Sequence, residues 1–244
     1  MTPALEVENL SFRYRAGGRK ILTDISFSLT PGEMLGVCGP SGCGKSTLCL
    51  TLCGIIPHSV AGEMTGDVRI FGESTRLMNP ARIARRVGIV FQDPEAQLFL
   101  PRLRNELAFA PENLCRPRAE IRETVTAIAE MLAIDSLLAA NPNELSGGQQ
   151  QVAVIGSVLT QDPAVLVLDE VLAMLDETNG QNILAIIDRL RRQGKTIIMV
   201  DHRQEHLSGA DRLLVLEEGR IKSLDRNGAA APKDAGPDSA AGAG

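Results

Sequence analysis

Gly39-Pro40-Ser41-Gly42-Cys43-Gly44-Lys45-Ser46-Thr47 decides how the rest of this 244-residue chain reads. It fits G-x-x-x-x-G-K-[ST], a pattern whose glycines let successive backbone N–H groups turn inward around a phosphate. Ahead of it, Met34-Leu35-Gly36-Val37-Cys38 is a short apolar strand, and the residues after it begin an apolar helix, which is the setting the pattern requires. The helix start adds partial positive charge. In such a loop Lys45 reaches the β- and γ-phosphates of a nucleotide, and the Ser46 hydroxyl ligates Mg2+. A glycine-rich turn that binds nothing is the bland alternative, and the flanking strand and helix argue against it.

Outward from the loop, the chain alternates strand and helix patterns. Upstream, Leu5 to Tyr14 reads as a strand. Ile25, Phe27 and Leu29 alternate with Ser26, Ser28 and Thr30, the period of a half-buried strand, with a turn at Gly17-Gly18 and a stop at Pro31-Gly32. Residues 94–158 read as mostly helical, with Ile121, Val125, Ile128 and Leu132 at three- and four-residue steps. Then come two continuous apolar runs, Val165 to Leu168 and Thr196 to Val200, with a helical pattern from Ile183 to Leu190 between them. That is a strand–helix–strand unit with buried parallel strands. From about residue 227 to 244 the composition is Gly, Ala, Pro and Asp, too poor in apolar area to offset ordering, and it reads as a disordered tail.

The first apolar run ends in Asp169-Glu170. A carboxylate pair after a strand is often only a helix cap, but downstream of a phosphate loop it gains a role. Asp169 would hold the Mg2+ hydration shell and Glu170 would polarise the attacking water. His202, after the second run, is placed to touch the γ-phosphate and the water. Leu145-Ser146-Gly147-Gly148-Gln149 makes a second anion-attracting helix start, with Ser146 at the N-cap and two glycines leaving the amides bare. A second phosphate element without carboxylates of its own makes sense if it completes a site on another molecule.

The bulk numbers exclude other classes. A net charge of −5, 3% aromatic residues and no Trp leave no nucleic-acid footprint. Five cysteines, at 38, 43, 49, 53 and 115, are an odd set and read as reduced thiols; no other Cys or His lies at metal-ligand spacing from Cys49 and Cys53. The start MTPALEVENL does not read as a secretory signal, and no apolar stretch reaches the roughly 20 residues of a membrane span, so a membrane role is expected to run through partners.

Together these motifs resemble the ABC ATPase family over nearly the whole chain, Leu5 to about Leu224. The resemblance implies an α/β fold: a P-loop NTPase (RecA-like) core, an N-terminal antiparallel β subdomain and a helical subdomain bearing the LSGGQ signature. One ATPase domain would span 1–226, with 1–90 and 159–226 as β subdomain and nucleotide-binding core and 91–158 as Q-loop and helical subdomain. It further implies two cassettes facing head to tail, each ATP held by one loop (Gly39, Pro40, Ser41, Gly42, Cys43, Gly44, Lys45, Ser46, Thr47) and the other's Ser146, Gly147, Gly148 and Gln149. By the same resemblance Tyr14 stacks on adenine, Gln92 senses Mg2+ and a transmembrane partner, Asp176 is the D-loop aspartate and His202 the switch histidine. Packing of Tyr14 on its own strand is the competing reading.

A narrower likeness follows. Phe91 to Phe99 (FQDPEAQLF) with Asn105 to Leu114 (NELAFAPENL) resembles the ATPases of energy-coupling factor (ECF) importers of vitamins or transition-metal ions. That implies ATP and Mg2+ as cofactors and a place on the cytoplasmic face of the membrane. It implies a transmembrane coupling protein near Gln92 to Gln97, and a solute-binding membrane subunit reached indirectly. Two departures stand out: the D-loop reads Val171-Leu172-Ala173-Met174-Leu175-Asp176, and Val152 replaces a common Arg. Neither removes a phosphate or Mg2+ ligand, so hydrolysis is expected to survive. The rivals are a conventional importer or exporter cassette, a soluble ABC ATPase of DNA repair or translation, and a non-hydrolysing regulator. Intact Lys45, Asp169, Glu170 and Ser146 disfavour the last. A homodimer and a heterodimer remain equally open.

Overall fold

The computed structural model describes residues 2–226. In chain order its elements are β1 (Leu5–Arg13), β2 (Leu22–Leu29), β3 (Met34–Cys38), α1 (Lys45–Leu52), α2 (Ile55–His58), β4 (Glu63–Ile70), β5 (Glu73–Ser74), α3 (Pro80–Ala84) and β6 (Val87–Val90). They continue with α4 (Leu103–Asn113), α5 (Arg118–Met131), α6 (Gly147–Leu159), β7 (Val165–Asp169), α7 (Glu177–Arg192), β8 (Thr196–Val200), β9 (Arg212–Glu217) and β10 (Arg220–Arg226). The tail expected to be disordered, 227–244, lies outside the described residues.

Two sheets carry the chain. The first is antiparallel, in the order β2-β1-β4-β5. Its β2 buries Ile25, Phe27 and Leu29 and exposes Asp24, Ser26 and Ser28, so the alternation in the sequence marks one packed face. The second has the order β10-β9-β3-β8-β7-β6, parallel from β9 to β6 with β10 antiparallel at its edge. Every residue of β3, β7 and β8 is buried, which is why those runs show no alternation.

Successive residues of these central strands feed different cores. Leu166, Leu168, Ile197 and Met199 pack with the apolar sides of α5, α6 and α7. Val165, Val167, Ile198 and Val200 pack with Leu48, Cys49 and Leu52 of α1 and with the first sheet. One sheet thus holds a helical layer on one face and the antiparallel sheet with α1 on the other. A backbone bond from Thr23 N–H to Gly219 O (2.8 Å) ties the two sheets at their edges.

Some expectations shift. The first strand stops at Arg13, one residue before Tyr14. Within 94–158 three helices form, but 132–146 holds only two short 3-10 turns and 94–102 is irregular. The helix expected over Ile183 to Leu190 begins earlier, at Glu177, because Asp176 caps it: its carboxylate accepts from Asn179 N (2.9 Å) and Asn179 Nδ2 (2.7 Å). All five cysteines are free thiols.

Candidate functional site

The strand register brings the chemistry to one edge. Val37 and Asp169 both lie opposite Val200, so the carboxyl ends of β3, β7 and β8 are neighbours. Asp201 N–H donates to Val37 O (3.1 Å), closing that edge beside the start of the glycine loop. Ligands of open parallel sheets bind just outside such carboxyl ends.

The loop from Gly39 to Gly44 needs its glycines. A Cβ at Gly39 would stand 2.1 Å from Leu216 O, and Gly44, the N-cap of α1, has φ 111°. Gly42 (φ 75°) has open space around it, so conformation alone demands glycine there. Lys45 is nearly buried. Its Nζ donates to Gly39 O (3.0 Å) and Pro40 O (3.2 Å) and stands 3.5 Å from Glu170 Oε1. A phosphate entering the loop would meet this ammonium and the N–H groups that open α1.

Asp169 ends β7 and is 5% exposed. Burial pushes its carboxyl above the ordinary carboxylate value; a hydrogen bond from Ser46 and the charge of Lys45 oppose that, while the neighbouring Glu170 charge adds to it. Its Oδ1 is buried with no partner. Glu170 follows in a left-handed conformation (φ 51°), its N–H held by Val200 O at 3.0 Å. That strained residue turns the carboxylate out of the strand toward Lys45.

Tyr14 is 44% exposed and is held from two sides. Its ring packs edge-on against Phe12 (4.9 Å, 83°), and its hydroxyl is 3.0 Å from Thr47 Oγ1 on α1. Strand packing and proximity to the loop are therefore both present in one residue.

Ser146 is the N-cap of α6 in a full capping box: Ser146 Oγ accepts from Gln149 N (3.4 Å) and Gln149 Oε1 accepts from Ser146 N (3.0 Å). A Cβ at Gly148 would meet the Asn179 side chain at 2.5 Å, so this helix start abuts the start of α7 at Asp176. Among the described residues no bond joins Ser146, Gly147, Gly148 or Gln149 to Lys45, Asp169 or Glu170. Among the described residues the starts of α1 and α6 are thus two separate anion-attracting sites.

Gln92 is exposed just past β6. Gln97, in the segment expected near the coupling protein, spends its amide internally, Oε1 accepting from Phe91 N (2.7 Å) and Nε2 donating to Ile89 O (3.2 Å). It splints the loop that carries Gln92. Buried Glu106 performs a similar service, accepting from the N–H groups of both Phe99 and Leu100. Phe99 and Phe109 form an exposed edge-to-face pair beside it (4.9 Å, 87°). Sequence reasoning missed the splint made by Glu106 and the contact that Thr47, already named in the loop, makes with Tyr14. An acid in an apolar stretch of helix was the available signal for the first; the second had none.

Comparison with known proteins decides the family. The sequence profile described as ABC transporter matches residues 22–173. The chain belongs to the ABC transporter family. A provisionally named ABC transporter ATP-binding protein of Pyrococcus abyssi is 42% identical over 219 residues, covering 89% of this chain and 78% of that one. Among solved structures, cbiO1 from Clostridium perfringens, part of the ABC transporter complex cbiONQ, aligns with TM-score 0.82 and 28% identity over 93% of this chain and 90% of that one. A bacterial Atm1-family ABC exporter with ATP bound aligns at 0.77 and 27%, covering 93% of this chain and 39% of the exporter chain. This chain is thus an ATP-binding subunit of an ABC transporter and an ATP hydrolase. ATPases of this family work as dimers with transmembrane components. Among the described residues no helix is long and apolar enough to cross a membrane.

Proposed function

We propose that the chain is the ATPase of an ECF-type importer of a vitamin or transition-metal ion, with Mg2+ as its metal. In this reading it works on the cytoplasmic face of the membrane as a single domain over 1–226. The observation that carries the site assignment is the cluster of Lys45, Ser46, Asp169 and Glu170 at the strand ends.

The residues present fit Mg2+. Asp169 Oδ1 is a buried oxygen without a partner, beside the Ser46 hydroxyl. Among the described residues there is no group of three or more His, Cys, Asp or Glu to cage an ion. Mg2+ suits that set, since it keeps several waters and takes one or two protein oxygens plus substrate phosphates. Bound there, it would neutralise charge on the β- and γ-phosphate oxygens. Lys45 would leave Gly39 O and Pro40 O for the phosphates. Glu170, off the strand axis and facing Lys45, would accept the proton of the attacking water. His202, half exposed past β8, would hold that water and the γ-phosphate. Tyr14 would offer its open ring face to adenine, and Gln92 would report on Mg2+ from its exposed loop.

The second helix start fits a partner's nucleotide better than its own. Ser146 to Gln149 supply amides and dipole without carboxylates, and the adjoining Asp176 caps α7 beside them. A second cassette facing head to tail would complete each site. The splinted loop at Gln97 and the exposed pair Phe99 and Phe109 offer a firm apolar seat for a transmembrane coupling protein, through which a solute-binding subunit is served. The likeness to cbiO1 supports the importer reading. The likeness to an exporter keeps an exporter cassette as the second reading.

The test is co-expression with an ECF coupling protein and its solute-binding subunit. Co-elution in detergent, with ATP-dependent solute uptake in vesicles that disappears in Glu170→Gln, is the expected result. A chain that never joins this complex yet supports ATPase activity with exporter helices would defeat the importer reading.

A further inference from the structure

Asp201 is almost fully buried (1% exposed) and sits between both histidines of its segment. Its Oδ2 lies 2.7 Å from His206 Nδ1, its Oδ1 accepts from Arg203 N (2.8 Å), and His202 Nδ1 stands 3.5 Å from Oδ1. An ionised carboxylate only accepts, so the proton of His206 must be on Nδ1. His202 Nδ1 faces the same carboxylate at 3.5 Å without a formed hydrogen bond, and the negative charge there favours a proton on Nδ1 over Nε2. His206 is held in turn: it belongs to the turn Gln204–Leu207, anchored by fully buried Leu207.

We infer that His206 is a positioning residue for ATP hydrolysis: it pins Asp201 so that Asp201 fixes the tautomer and direction of His202. The inference rests on the reading of His202 as a group of the hydrolytic site. Without His206, Oδ2 loses its donor in a place water hardly reaches. A buried carboxylate with one acceptor left open is no longer held in one orientation, and it turns in search of another donor. His202 then loses the partner that holds its Nε2 outward. The groove beside His206 is also lined by Leu172, Leu175 and Asp176 of the D-loop segment.

Steady-state ATP turnover of the full chain, with its transport partners where these are needed for activity, tests this in four variants. His206→Ala is expected to lower kcat about tenfold or more with KM for ATP changed less than about threefold, as loss of one charge-assisted hydrogen bond implies. His206→Asn, whose amide can donate near the position of Nδ1, is expected to recover most of kcat. In a His202→Ala background, His206→Ala should cost nothing further. Full turnover in His202→Ala alone would sink the reading of His202. Loss in His202→Ala with full turnover in His206→Ala would sink only the inference, as would additive losses in the double variant.

Nitrogen-15 NMR supplies a readout independent of activity. The chain has three histidines. His58 is the internal reference, because its Nε2 faces Thr75 O (2.8 Å) and must carry the proton there. His202 is expected as the Nδ1–H tautomer in the native chain and in His206→Asn, and as a mixture in His206→Ala. An unchanged His202 signal in His206→Ala would overturn the proposal.

Discussion

Glu170→Gln separates binding from chemistry, and the structure sets the size of both effects. The amide keeps the shape of the side chain and both backbone bonds at this position: Glu170 N–H to Val200 O and Ala173 N–H to Glu170 O, each 3.0 Å. The left-handed φ of 51° is no harder for Gln than for Glu, so folding should be nearly unchanged. What is lost is one charge, 3.5 Å from Lys45 Nζ and 21% exposed. A partly solvated pair at that distance is worth about 1 kcal/mol or less, which limits the change in ATP affinity to roughly fivefold. Loss of a general base lowers rate by about 10²–10⁴-fold, or about 2.7–5.5 kcal/mol of barrier. Calorimetry of ATP binding beside phosphate release under saturating ATP measures the two arms. Turnover within about threefold of the native chain would refute the role given to Glu170.

Asp169→Asn should raise the thermal midpoint of the nucleotide-free chain at pH 7 and abolish the gain in ATP affinity from Mg2+. The sign follows from its raised pKa: the fold favours the protonated form, so that stabilisation is full below the ordinary value of 3.8 and is lost as pH rises through the folded value. The advantage of Asn should therefore shrink as pH falls toward 4, and a variant less stable at pH 7 would contradict it. Gly39→Ala should cost about 3 kcal/mol or more, on the order of 6–12 °C, because the new Cβ meets the backbone of β9, which is held by the sheet. Gly42→Ala should cost only about 1–2 kcal/mol, from conformation alone. Calorimetric melting compares them, and a Gly42 variant less stable than the Gly39 variant would count against the packing of the loop on β9.

Much of this was legible in the chain. The period of two in β2 and the unbroken runs of β7 and β8 reported one-sided and two-sided burial, because the sheet geometry imposes those patterns directly. Ser146 was recognisable as a cap since capping needs a short polar acceptor three residues before a donor, a purely local relation. What escaped was non-local. Gln97 was legible only as part of a segment near a partner, while its amide closes on Phe91 and Ile89; the sequence names a polar residue without saying which backbone groups lack partners nearby. The bonds of Glu106 and His206 and the contact of Thr47 with Tyr14 escaped for the same reason, their partners being set by how a loop or a strand end returns. The strand β4 buries only Val68 and Ile70 and β5 buries none, too few to set a periodic signal.

The central claim is that ATP is bound by the loop Gly39 to Thr47 through Lys45. Titration calorimetry of ATP with the native chain and with Lys45→Ala, each shown folded by its melting transition, tests it most directly. The account predicts one ATP per native chain and an affinity loss of at least about a hundredfold in the variant, as removal of charge-assisted bonds to phosphate implies. Equal affinities in the two chains would contradict it.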